Sequence, residues 1–444
     1  MEQVDTLIHA RWIIPVEPTG AVLEHHALAI KDGRLLAIEP SDTAAQRYTS
    51  PRTLHLSEHA LIPGLINSHT HVAMSLFRGL ADDLPLMEWL NDHIWPAEAA
   101  WVNPEFVEDG TRLAIAEMVR GGITCFSDMY FFPDVSARVA ADAGMRATLG
   151  MIIIDFPTVW ASNADEYLSK GLKLHDEYRN HPLIRSAFAP HAPYTVSDGP
   201  LEKIRTLAEE LDVPIHMHVH ETADEIGTSL EHHQQRPLAR LDALGLISPR
   251  LLAVHMTQLT DEEIQQLSVN GAHVIHCPES NLKLASGFSP VAKLLEAGVN
   301  VALGTDGAAS NNDLDMFGEM RTAALVAKAV AGDASALPAA TALQMATLNG
   351  ARALGIDAET GSLMPGKNAD ITAVHLGSLE SQPVYNHISQ LVYATGRDKV
   401  SDVWIAGQHL LKDGELTTLD ATAIHEKSRQ WGEKIAARDK AHYQ

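Results

Sequence analysis

From residue 61 to about 364 the chain alternates short, near-continuous apolar runs with longer amphipathic stretches. The apolar runs span 61–72, 122–129, 146–154, 184–193, 214–221, 251–258, 273–280 and 300–307. Parallel strands covered on both faces read this way, without the in–out alternation of a half-exposed sheet. Amphipathic stretches between them, such as 103–120, 198–211, 261–268 and 290–297, predict helices. Eight β runs with intervening helices predict a (β/α)8 (TIM) barrel over 61–365, with a doubly wound open sheet as the alternative.

The flanks follow a different pattern. Segments 6–15 and 27–39 alternate apolar and polar residues, with a turn at Lys31-Asp32-Gly33-Arg34. Segments 370–376 and 400–415 read as β hairpins, with turns at Ala406-Gly407 and Asp413-Gly414. Residues 1–60 and 366–444 are therefore expected to pair into a small β-sandwich domain, closed by a polar surface helix over 422–442.

Composition narrows the class. With 45% hydrophobic and 20% charged residues the chain is an ordinary globular protein. A net charge of −24 argues against a nucleic-acid partner, because phosphate binding needs clustered Lys and Arg. The two cysteines, Cys125 and Cys277, offer no disulfide framework. No run reaches the roughly 18 apolar residues that span a bilayer, and Met1-Glu2-Gln3-Val4-Asp5 has no basic leader. A cytoplasmic protein without membrane attachment is expected. The 24 histidines, several of them inside apolar runs, direct attention to metal chemistry.

Pro63-Gly64-Leu65-Ile66-Asn67-Ser68-His69-Thr70-His71 closes the first apolar run with two histidines at spacing two. Alternate residues of a strand share a face, so His69 and His71 point into the barrel together. Two hydrogen-bonded core histidines would be the purely structural reading; a shared cation is the chemical one. At the fifth run, Pro214-Ile215-His216-Met217-His218-Val219-His220-Glu221 places three histidines on one face. His216 reads as a filler of an inner layer, and spacing does not separate His218 from His220 as the ligand. His255 ends the sixth run, and Asp306, between Gly304 and Gly307, ends the eighth. A carboxylate there is expensive unless paired, though capping the next helix would also explain it. A barrel brings these strand ends into one ring, and three His with one carboxylate suit Zn2+ and tolerate Fe2+ or Mn2+. An ion there would acidify water into a nucleophile.

These residues resemble the amidohydrolase superfamily, over nearly the whole chain. The Pro-Gly-x-x-x-x-His-x-His run at 63–71 and Gly361-Ser362-Leu363-Met364-Pro365-Gly366-Lys367-Asn368-Ala369-Asp370 carry the likeness. Within it, the chain is most similar to the 5-methylthioadenosine/S-adenosylhomocysteine deaminases. Trp89-Leu90-Asn91-Asp92-His93-Ile94-Trp95-Pro96-Ala97-Glu98, Ala189-Pro190-His191-Ala192-Pro193-Tyr194, His218-x-x-Glu221 and Asn281-Leu282-Lys283-Leu284-Ala285-Ser286-Gly287 carry this second likeness. The resemblance implies a single ion held by His69, His71, His218 and Asp306. No lysine stands at the end of strand four, where His191 lies, in keeping with one ion rather than a bridged pair. It implies hydrolytic deamination of an adenine nucleoside, with Asp306 and His255 taking a proton from water and Glu221 protonating ring N1. Glu98 would accept from ribose hydroxyls and His191 would contact the purine. Plain readings of the last two are a solvated helix acid and a core histidine.

The expected reactions are 5′-methylthioadenosine to 5′-methylthioinosine and S-adenosylhomocysteine to S-inosylhomocysteine. A charged homocysteine tail calls for a nearby arginine. Residues 152–170 supply none, and Arg146 starts its strand away from the mouth, which favours the methylthio compound. Alternatives are an aminohydrolase of adenosine, guanine or a triazine, and a non-enzymatic assembly protein on the same scaffold, which would have lost ligands present here. The cytidine-deaminase type is excluded, since two distant cysteines cannot form its Pro-Cys-x-x-Cys. The family implies a small-molecule partner and a homo-oligomer.

Overall fold

The computed structural model describes residues 1–442. Eight parallel strands pair in chain order: β1 (Leu65–Thr70), β2 (Ile123–Asp128), β3 (Arg146–Ile153), β4 (Ile184–Pro190), β5 (Ile215–Val219), β6 (Leu251–His255), β7 (His273–His276) and β8 (Asn300–Leu303). Every residue of β1, β2, β3, β5 and β6 is buried, the physical reason these runs lack polar alternation. Helices separate the strands. Asn103 starts Pro104–Arg120 by accepting from the Phe106 N–H, and a reciprocal Thr260/Glu263 capping box starts Asp261–Asn270. The ring closes just beyond β8, where the Asp306 N–H donates to the His69 carbonyl at 3.0 Å and the Thr305 N–H to Asn67 Oδ1 at 2.9 Å. The (β/α)8 barrel expected from the apolar runs is the observed architecture.

The flanks join in one hydrogen-bonded sheet, in the order Glu415–Leu416, Gln408–Lys412, Val400–Ile405, Ile371–His375, Thr53–Pro63, Thr6–Ile13, Leu23–Lys31 and Arg34–Pro40. Ile8, Leu28, Leu61, Ile371 and Trp404 fill its core. One expected boundary moves: the apolar run 61–72 contains pieces of two strands. Leu61 and Pro63 pair with Ala373 and Ile371 in the flank sheet, and β1 begins only after Gly64. Both pieces are fully buried, so hydrophobicity carries no mark of the joint. Gly64 is required there, since a Cβ on it would lie 2.0 Å from Thr124 Oγ1. Sheet and barrel are also tied by a buried ion pair: Arg146 Nε and Nη2 reach Asp370 at 2.9 and 3.2 Å. The terminal helix Ala421–His442 packs Trp431 on Phe106. Among the described residues no helix is long and apolar enough to cross a membrane.

Candidate active site

The C-terminal ends of β1, β5, β6 and β8 converge. His69 and His71, two residues apart, both face the barrel axis. His69 Nε2 lies 3.2 Å from His218 Nε2 and 3.3 Å from Asp306 Oδ1, while His71 Nε2 lies 3.2 Å from the same oxygen. The outer nitrogens are committed elsewhere. His71 Nδ1–H donates to the Met129 carbonyl at 2.5 Å and His218 Nδ1–H to the His191 carbonyl at 2.7 Å. His69 Nδ1 lies 2.9 Å from His216 Nε2, and the far side of His216 faces Ser127 Oγ at 3.3 Å.

This arrangement fits a cation. With Nδ1–H of His71 and His218 given to carbonyls, their Nε2 atoms turn lone pairs inward, toward a carboxylate and toward His69. Lone pairs so placed repel one another unless a positive charge sits between them. Tetrahedral zinc with bonds of about 2.1 Å holds its ligand atoms about 3.4 Å apart, close to the separations here. Each inward nitrogen is backed by an outer contact that fixes ring orientation.

The electrostatics agree. Burial lowers His69 to about 4, drives His218 well below the ordinary imidazole range and lowers His191 to about 3, so these rings are neutral and their lone pairs free. His71 differs: burial would lower it as well, but the Asp306 carboxylate beside it prevails and raises it to about 9, so its Nε2 holds a proton toward Asp306 unless a cation takes that place. Burial alone would raise Asp306, yet His69 and His71 hold it well below the carboxylate range. Ser280 and Ser310 hydroxyls donate to its Oδ2 at 2.7 and 2.9 Å, and the Gly307 N–H to Oδ1 at 2.8 Å. Glu221 goes the other way: burial raises it, against the pull of His255 at 3.8 Å.

His71, Glu98, His191, His218, Glu221, His255 and Asp306 line one cavity of about 500 Å3, and His69 lies just beneath it. The expected residues are thus brought together. Glu98 enters from the segment after β1, past a π-helical turn at Trp89–Ile94, and burial against the cavity raises it to about 7. His220 points away from the ring. Its backbone takes a left-handed φ of 54°, and its Nε2 accepts from the Leu238 N–H at 3.1 Å. The chain also turns left-handed at His255 (φ 75°) and Asp306 (φ 62°), strain of about 1–3 kcal/mol each that such sites carry.

Some functional contacts escaped the sequence reading. His216, expected as filler, contacts His69 directly. Ser280 and Ser310 support Asp306, and Asn281, within the 281–287 run that carries the family likeness, supports His255; the sequence reading assigned no role to any of the three. Apolar walls from Trp89, Trp95, Phe156 and Val159 enclose the outer cavity.

Three imidazoles and a carboxylate at the C-terminal mouth of a (β/α)8 barrel define a metal-dependent hydrolase. The amidohydrolase family profile matches residues 60–410, and the chain belongs to that family. It is 53% identical over 433 residues, 98% of this chain and 97% of its relative, to a Saccharophagus degradans protein named 5-methylthioadenosine/S-adenosylhomocysteine deaminase. The crystal structure of an adenosine deaminase from Xanthomonas campestris with bound zinc superposes with a TM-score of 0.97 at 56% identity, over 98% of this chain and 99% of that one. A zinc-complexed atrazine chlorohydrolase from Arthrobacter aurescens, 24% identical, superposes with a TM-score of 0.89 over 96% of this chain and 99% of its own, a likeness of fold alone.

Proposed function

We propose that the chain deaminates adenine nucleosides by hydrolysis at C6, taking 5′-methylthioadenosine to 5′-methylthioinosine and S-adenosylhomocysteine to S-inosylhomocysteine, with the methylthio compound preferred. The relatives' shared name supports the substrates. The observation that carries the reaction is the placement of Asp306, His255 and Glu221 around one point of the cavity, one carboxylate held ionised and the other pushed toward its protonated form. Such a divergent pair marks base and acid.

His69 Nε2, His71 Nε2, His218 Nε2 and Asp306 Oδ1 would hold the ion, assigned as Zn2+, with Fe2+ or Mn2+ also suited to this donor set. When bound, it makes hydroxide available from water near neutral pH. His255 gives Nδ1–H to Asn281 and keeps Nε2 free to accept a proton, which it shares with Asp306. Glu221 donates to ring N1 as C6 becomes tetrahedral, and Asp306 carries a proton to the departing ammonia. His191 supplies a neutral imidazole against the purine, and Glu98 accepts from the ribose diol.

The preference within the class rests on the cavity wall, which among the described residues includes no Lys or Arg. A homocysteine carboxylate finds no cation there, whereas a methylthio group finds aromatic carbon. Arg146 is spent on Asp370, far from the mouth. Buried free Cys125 and Cys277 accord with a reducing, cytoplasmic setting, and the family with a homo-oligomer.

The test is an ultraviolet time course of zinc-loaded protein with 5′-methylthioadenosine, S-adenosylhomocysteine, adenosine and guanine. An adenine-to-hypoxanthine shift with ammonia release, fastest for methylthioadenosine, is expected. Silence on all adenosine compounds would overturn the substrate reading, and turnover of guanine would replace it.

A further inference from the structure

The cavity contains a fully buried donor that the reaction above leaves unused. Tyr130 lies just beyond β2 and is 5% exposed. Its ring is held 6.4 Å from that of His71 and 5.2 Å from that of Phe131, centroid to centroid. Its hydroxyl oxygen is shielded from solvent and makes no hydrogen bond of good geometry, although the Glu98 carboxyl is close enough to act on it. Several other cavity donors are committed. His71, His218 and His255 give Nδ1–H to Met129, His191 and Asn281, Trp89 Nε1 donates to the Ala81 carbonyl, and Ser310 donates to Asp306. Among the described residues lining the cavity, Tyr130 alone has a buried polar side-chain atom without a hydrogen bond of good geometry.

An unpaired buried hydroxyl costs about 1–3 kcal/mol, so this position is built for a group that arrives with the ligand. The neighbouring polar side chain is Glu98, whose carboxyl faces the Tyr130 hydroxyl. A carboxylate only accepts, whereas each ribose hydroxyl both donates and accepts. Glu98 can therefore take the protons of a 2′,3′-diol but leaves its oxygens without a donor. The buried donor beside it is the Tyr130 O–H, which a ribose hydroxyl entering between the two side chains would take up.

We propose that Tyr130 is a specificity-determining residue, its hydroxyl donating to a ribose hydroxyl whose proton Glu98 accepts, so that the two side chains read the vicinal diol of the substrate. The assignment rests on the nucleoside reading above. It gives the cavity a means of rejecting deoxynucleosides, because loss of the ribose hydroxyl leaves both Glu98 and Tyr130 unpaired in a water-poor pocket.

The test compares zinc-loaded wild type and Tyr130→Phe on adenosine, 2′-deoxyadenosine and 3′-deoxyadenosine, with zinc content and melting temperature measured on both proteins. The phenylalanine variant removes the hydroxyl without leaving a buried group unpaired, so folding and zinc content should be unchanged. Its KM for adenosine should rise about 5- to 15-fold with kcat within about threefold, the worth of one neutral hydrogen bond. On one of the two deoxynucleosides, wild type and variant should become equal, identifying the hydroxyl that Tyr130 contacts. An unchanged KM for adenosine would overturn the assignment. So would an equal loss on all three substrates, which would place the effect in the His71 environment rather than on ribose. A wild-type enzyme inert on every adenosine compound would overturn the deaminase reading itself, and this assignment with it.

Discussion

Nδ1 of His255 lies 2.8 Å from Oδ1 of Asn281. The amide oxygen only accepts, so the imidazole proton sits on Nδ1 and the lone pair of Nε2 is turned toward Glu221 and the cavity. Asn281 belongs to the short helix Pro278–Lys283, which also sends Ser280 to Asp306 and, through Lys283 Nζ, reaches Asp82 at 2.5 Å. One turn of helix thus supports the proposed proton acceptor, a proposed ligand and the loop leading to Glu98.

His255→Ala should therefore retain the metal and lose about 10²- to 10⁴-fold in turnover, as removal of a general base does. Asn281→Ala, which frees the tautomer, should lose about 10-fold or more. Metal analysis alongside kcat checks both, and loss of the ion from the His255 variant would refute its role as a proton carrier.

Glu98→Ala should impair nucleosides far more than free adenine, which has no ribose. Burial raises Glu98 to about 7, so it is ionised, and able to accept from the diol, only above that pH. KM for adenosine should accordingly rise as pH falls through about 7, and this limb should vanish in the variant. Equal impairment of adenine and adenosine would remove Glu98 from the ribose.

Gly304 is packed against the strand that carries His69. A Cβ on it would lie 2.8 Å from both the Cβ and the backbone nitrogen of His69. Gly304→Ala should displace His69 and lower zinc affinity at least about 10-fold, measured by competition with a chelator. Unchanged affinity would mean that strand β8 can yield without moving the ligand.

Arg146 and Asp370 pair almost out of contact with water, where Thr360 Oγ1 and the Ala406 N–H also donate to the carboxylate, each within 2.9 Å. Arg146→Met leaves that carboxylate buried without a cation and should cost about 3–5 kcal/mol in denaturant unfolding. A loss below about 1 kcal/mol would show the pair to be dispensable.

Val159 lies on the cavity rim, 41% exposed, in a wall without cations. Val159→Arg should raise kcat/KM for S-adenosylhomocysteine relative to 5′-methylthioadenosine by about 5-fold or more, about 1 kcal/mol of a partly exposed charge pair. No change in the ratio would show that the absent cation does not set the preference.

The barrel was legible in the chain because a strand buried on both faces must be apolar throughout, and that requirement writes itself into consecutive residues. The ligand candidates were legible for a related reason: a histidine or an aspartate ending such a run is conspicuous, and period two places His69 beside His71. Tertiary structure decided what consecutive residues do not encode. Period two ranked His218 and His220 alike, and only the left-handed turn at His220 sends one inward and the other to Leu238. The joint at Gly64 lay hidden in a continuous apolar run. The contact of His69 with His216 joins residues 147 apart, and that of Asp306 with Ser280 joins the loop after β8 to the short helix Pro278–Lys283. The proposed ribose pocket needs Glu98 and Tyr130 from the segments after β1 and β2 to meet across the mouth. Contacts between distant segments leave no periodic trace, because each partner's own neighbours look like ordinary core or loop until the barrel closes.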